Sequence, residues 1–95
     1  MRIPLASFDS EGRALVDVDG TEIVVFLVDG RPHAFVNACP HEGNPLCEGE
    51  IRGDMLTCAF HGWMFDLATG ACLVGDEAAR TFRAEVQGDE IVVRA

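Results

Sequence analysis

Residues 39–66 open with Cys39-Pro40-His41-Glu42-Gly43-Asn44-Pro45-Leu46 and close with Thr57-Cys58-Ala59-Phe60-His61-Gly62-Trp63-Met64-Phe65-Asp66. Each segment offers one thiol and one imidazole, spaced Cys-x-His in the first and Cys-x2-His in the second, with sixteen residues between them. Two sulfurs and two nitrogens form a four-ligand set suited to zinc or to a [2Fe–2S] centre with mixed ligation. Around them stand Pro40, Gly43, Pro45, Gly49, Gly53, Gly62 and Gly70. Such a density of turn residues is expected of loops whose backbone must approach something closely.

The rest of the composition narrows the setting. A chain of 95 residues makes one domain with a modest core, which a metal centre would help to hold. With 48% hydrophobic residues it is globular and not disordered. The longest uncharged apolar run, Ile23 to Val28, is far too short to span a bilayer. No basic region leads into an apolar one at the N-terminus, so no secretory signal is visible and a cytoplasmic location is expected. Sixteen acids stand against seven arginines and no lysine, a net charge of −9. That balance repels nucleic acid and anionic membranes, so neither is an expected partner, and it steers the protein toward basic patches. Four cysteines in a secreted chain would suggest two disulfides, but here two of them are paired with histidines at metal-ligand spacing. Cys47 and Cys72 are left over and read as small buried apolar side chains.

Outside the central stretch the pattern is one of short strands and tight turns. Arg2 to Phe8 reads as a first strand, ending at Asp9-Ser10-Glu11-Gly12. Ala14 to Val18 alternates and turns at Asp19-Gly20, a hairpin signal; Glu22 to Val28 is rich in β-branched residues and turns at Asp29-Gly30. His33 to Asn37 returns directly into Cys39, and His33 itself is expected to be structural and not a ligand. Met55 to Cys58 and Trp63 to Leu67 read as short strands flanking the second ligand loop. Asp76 to Arg80 reads as one helical turn capped by Asp76. Phe82 to Val86 and Ile91 to Arg94 form a last hairpin around Gln87-Gly88-Asp89. The pattern alone gives a small antiparallel β protein.

From Asp29 to about Gly70 the chain resembles the Rieske family, with Cys39-x-His41, Cys58-x2-His61, His61-Gly62-Trp63, Phe65-Asp66 and Thr69-Gly70. The resemblance implies an all-β Rieske (ISP-like) fold over residues 1–95. In it an antiparallel base, residues 1–37 and 71–95, carries an inserted cluster-binding subdomain, residues 38–70. It also implies one Rieske-type [2Fe–2S] cluster, with Cys39 and Cys58 on one iron and His41 and His61 on the other. Two ferric ions and two sulfides leave a core of +2 that two thiolates neutralise, whereas four thiolates would make a dianion. Histidine ligation therefore raises the reduction potential.

Donors to the sulfurs tune that potential further. High-potential members carry a serine and a tyrosine after the second histidine, where this chain has Trp63 and Phe65, and extra cysteines where it has Asn44 and Phe60. Both departures imply a low-potential cluster. The proline usual in a third, covering loop is missing, and Val74, Gly75 and Asp76 occupy that place.

This combination looks like the soluble ferredoxins of bacterial ring-hydroxylating dioxygenases and multicomponent monooxygenases, of the kind used in aromatic hydrocarbon catabolism. Such proteins are electron-transfer components and not enzymes. They are expected to be monomers that pass electrons from an NAD(P)H-dependent flavin-dependent ferredoxin reductase to a terminal oxygenase. An oxygen-activating iron needs two histidines and a carboxylate, and only His33 remains once the cluster is built. Glu42, Glu48, Glu50, Asp54 and Asp66 are expected to form an acidic docking collar. The alternatives are the small Rieske-like subunit of an assimilatory nitrite reductase, a structural zinc module with the same four ligands, and a redox-sensing module.

Overall fold

The computed structural model describes residues 1–40, 43, 45–59, 62–73 and 78–94. Among the described residues nine strands make two antiparallel sheets. The larger contains β1 (Arg2–Pro4), β2 (Arg13–Val18), β3 (Thr21–Val28), β4 (Arg31–Val36), β8 (Thr81–Gln87) and β9 (Glu90–Arg94), in the order β1-β9-β8-β4-β3-β2. The smaller contains β5 (Glu50–Arg52), β6 (Met55–Thr57) and β7 (Met64–Asp66), in chain order.

The Asp-Gly turns act as the sequence implies. Asp19 and Asp29 take left-handed φ values of 53° and 52°, each followed by a glycine of positive φ, the type I′ geometry that matches the strand twist. The β2–β3 and β3–β4 ladders then run in register from Arg13↔Phe26 to Val18↔Thr21 and from Ile23↔Val36 to Val28↔Arg31.

β3 explains the long apolar run, because both of its faces are covered. Ile23 and Val25 pack with Ile3, Ala14, Ala34, Ile91 and Val93. Ile3 lies on one edge strand and Ala14 on the other, so the sheet curls around this core into a partly closed barrel. Val24 and Phe26 face the opposite way. They join Phe35, Leu46, Leu56, Phe65, Leu67, Cys39 and Cys58 in a second core, which fastens the small sheet to the large one.

Several elements differ from the sequence reading. The first strand stops at Pro4, which has no N–H for a ladder, and Leu5–Ser7 turn as a single 3₁₀ turn. β4 begins two residues earlier, at Arg31, and releases Asn37 from the ladder. β5 and the 3₁₀ turn Leu46–Glu48 were not expected. Of the helical turn expected at 76–80, Asp76 and Glu77 lie outside the described residues. Ala78 forms an isolated bridge with Ala71, and the Ala79 N–H donates to the Gly70 carbonyl at 2.8 Å, so 78–80 runs extended. Cys72 likewise bridges Phe65. Among the described residues no helix is long and apolar enough to cross a membrane.

Candidate metal centre

Cys39 lies just beyond β4, and Cys58 directly follows β6. Their exposures are 2% and 1%, they belong to the same buried cluster, and neither is in a disulfide. His41 and His61 lie outside the described residues, as do Glu42, Asn44, Phe60 and the covering-loop residues Val74, Gly75 and Asp76.

The backbone treats the two cysteine segments alike. The Gly43 N–H donates to the Cys39 carbonyl at 2.7 Å, and the Gly62 N–H donates to the Cys58 carbonyl at 3.1 Å. Each bond closes a five-residue turn that ends on a glycine of left-handed φ, 75° and 70°. A Cβ at either glycine would meet nothing within 4 Å, so conformation and not space calls for glycine here. The Cys58 N–H also donates to the Trp63 carbonyl at 2.7 Å, which completes the second loop. Two buried thiols, each heading a tightly closed loop that also contains a histidine in the sequence, fit the donor set of a mixed cysteine–histidine centre.

Of the acids expected around the site, Glu48, Glu50 and Asp54 are exposed, and Glu50 pairs with Arg52 at 2.7 Å. Asp66 has a different task. Its Oδ1 accepts the N–H groups of Ala68 and Thr69 at 2.8 and 3.1 Å, building the turn after β7. Its carboxylate therefore shapes the loop.

Cys47 and Cys72 are half-buried and pack against the core that holds Cys39 and Cys58, as small apolar side chains would. His33, expected to be structural, stands opposite Phe26 across β3–β4. Burial lowers its pKa below the ordinary histidine value, and nearby Arg31 adds to that; a hydrogen bond to the Leu67 backbone and the charge of Asp66 pull the other way. A groove of 460 Å³ beside it, bounded by Leu67, Thr81, Arg83 and Arg94, contains no cysteine.

The sequence reading missed Arg13 and Asn37. Asn37, 8% exposed, accepts the Cys47 N–H on Oδ1 at 2.7 Å. Its Nδ2 donates to Glu22 Oε1 at 2.7 Å and to Cys47 Sγ at 3.4 Å. Arg13 donates from Nη1 to the Cys47 carbonyl and lies 5.2 Å over the Phe26 ring. A polar residue directly before a ligand loop was the only available signal.

Comparison with known proteins agrees with this geometry. The Rieske [2Fe-2S] domain matches residues 4–93. The chain is 28% identical over 86 residues to the ferredoxin component of a naphthalene 1,2-dioxygenase system from Pseudomonas aeruginosa, covering 87% of this chain and 83% of that one. It is 40% identical over 67 residues to the oxygenase component of a 3-ketosteroid-9-alpha-monooxygenase from Rhodococcus rhodochrous. That match covers 70% of this chain but only 18% of the relative's length. The fold matches a chain from the complex of reduced oxygenase and oxidized ferredoxin in carbazole 1,9a-dioxygenase with a TM-score of 0.84 at 28% identity, over 98% of this chain and 99% of that one.

Proposed function

The chain belongs to the Rieske [2Fe-2S] domain family, and from that premise we propose that it serves as a soluble one-electron carrier in a multicomponent oxygenase system. The observation that carries this reading is the coverage of the naphthalene system's ferredoxin component, 83% of whose length is spanned here. A Rieske cluster supplies reversible one-electron chemistry. Cys39 and Cys58 provide its thiolate ligands and His41 and His61 its imidazole ligands. The buried thiols hold one end of the site away from water, and neutral imidazoles leave a second nitrogen on each ring to face a docked protein.

The base, residues 1–37 and 71–95, acts as the platform, and residues 38–70 as the cluster-binding part. Support for a low potential comes from Trp63 and Phe65, neither of which has a hydroxyl to donate to sulfur. The midpoint is expected near the lower end of the Rieske range of about −150 to +300 mV. A value above about +100 mV would contradict this.

The partners are a flavin reductase supplied by NAD(P)H and a terminal oxygenase, met in turn by a cytoplasmic monomer. The carbazole system supports the second partner, since its ferredoxin and oxygenase form a complex. Exposed Glu48, Glu50 and Asp54 contribute to docking on basic surfaces. Stopped-flow mixing with a reduced flavin reductase, and then with an oxidised Rieske oxygenase, tests the reading. The expected result is electron transfer in both steps, slowing as salt rises. Failure to exchange electrons with either class of protein would overturn it.

A further inference from the structure

Cys47 is held at every polar atom it has by two residues, Asn37 and Arg13. Its N–H goes to Asn37 Oδ1, its sulfur accepts from Asn37 Nδ2, and its carbonyl accepts from Arg13 Nη1. Asn37 stands two residues before Cys39, so by gripping Cys47 it ties the entry of the segment 38–46 to its exit. Asn37 is itself anchored, through its N–H to the Glu22 carbonyl at 2.9 Å and through Nδ2 to the Glu22 carboxylate.

Arg13 is the only one of the seven arginines that is not exposed. Its side chain is 14% exposed, its Nε is buried with no hydrogen-bond partner among the described residues, and the Glu11 carboxylate pairs with it at 4.0 Å. Burying a guanidinium so loosely paired is costly, and the Phe26 ring and the Cys47 carbonyl help to offset it. The register explains the placement. Arg13, Phe26 and His33 occupy one cross-strand row over β2, β3 and β4, on the face turned toward the small sheet.

Just past Cys47 the chain touches the strand that leads to the second cysteine. A Cβ on Gly49 would come within 2.6 Å of the Thr57 carbonyl oxygen and 2.9 Å of Leu56 Cδ1. Anything that fixes residue 47 therefore also fixes the first cysteine loop relative to β6 and Cys58.

We propose that Arg13 and Asn37 are positioning residues that pin Cys47 and so hold the Cys39 loop in register with the Cys58 loop. This rests on the reading that the two loops carry a Rieske cluster. The clamp keeps the loop bases together against thermal opening, and it is the opened form that a chelator attacks.

The test uses holoprotein carrying Arg13→Met or Asn37→Ala, with Arg13→Lys as the conservative variant and Ile91→Val as a control in the far core. Bleaching by an iron chelator and the EPR line shape of the dithionite-reduced protein are the readouts. Loss of one clamp bond is expected to speed bleaching about tenfold and to broaden the g anisotropy, with Arg13→Lys intermediate and Ile91→Val unchanged. Clamp variants that bleach within about twofold of wild type with the same line shape, or an Ile91→Val that bleaches equally fast, would overturn the proposal. If neither clamp variant folds, hydrogen exchange of wild type decides. A Cys47 amide as protected as those of β3 supports the clamp, and one exchanging like exposed turn amides sinks it. A wild-type protein without an iron–sulfur spectrum would instead refute the cluster reading itself.

Discussion

β3 runs for eight residues and pairs along its length with two neighbours, whereas β5, β6 and β7 are three residues each. The large sheet has an aliphatic core of its own, built from Ile3, Ile23, Val25, Ile91 and Val93. Among the described residues the small sheet has no separate buried cluster. Its Leu56 and Phe65 are buried in a cluster shared with Val24, Phe26 and Phe35 of the large sheet, with Leu46, Leu67 and Ala79, and with the two cysteines. Three-residue strands are marginal by themselves. One region thus has a core of its own, and the other, which carries the two cysteine loops, packs its buried side chains on it. The difference sets the two cysteine loops on the sheet of shorter strands, where local opening is expected to be easier.

The largest expected effect comes from removing a proposed ligand. Cys58→Ser should abolish the cluster and strip hydrogen-exchange protection from Leu56 and Phe65, while Val24 and Val25 stay protected. Loss of protection in both sheets together would mean that the regions are one cooperative unit and would break the contrast.

Phe26 joins the regions, packing edge-on to Phe35 at 5.9 Å and 71°. Phe26→Ala is expected to cost about 3–5 kcal/mol in chemical denaturation, as for other buried aromatic truncations. A cost below about 1.5 kcal/mol would show that the interface core contributes little.

Gly43→Ala and Gly62→Ala are smaller perturbations, because only backbone strain opposes them. Each should destabilise by about 1–2 kcal/mol. A larger cost at either position would point to close packing that the bare backbone does not reveal.

The smallest effect is that of His33. Its folded pKa lies below the ordinary value of 6.5, so the folded state binds fewer protons than the unfolded chain. Its contribution is complete above about pH 6.5 and is lost as pH falls through that value toward the folded pKa. Wild type should therefore lose stability from pH 7.5 to 5.5, with Arg31 and Asp66 as the charges facing the ring. His33→Gln should flatten that part of the profile. An unchanged slope would remove His33 from the account.

Much of the large sheet was legible in the sequence, because Asp19-Gly20 and Asp29-Gly30 specify their turns locally and the β-branched run from Glu22 to Val28 reads as the strand between them. The paired cysteine segments were legible too, since their spacing is chemical information. β5 was not, because Glu50-Ile51-Arg52 is too short to show an alternation and pairs only once β6 is beside it. Arg13 and Asn37 were hidden for a related reason. Nothing local marks one arginine out of seven, and its role exists only when the β2–β3 register sets it over Phe26 and next to Cys47.

The most direct test of the central claim is the optical and EPR spectrum of the purified protein before and after dithionite reduction. The expected result is a red-brown protein that bleaches on reduction and gives a rhombic signal of low average g, the signature of a [2Fe–2S] cluster with mixed cysteine and histidine ligation. A colourless, EPR-silent protein containing zinc would contradict it, and the electron-carrier reading would fall with the cluster.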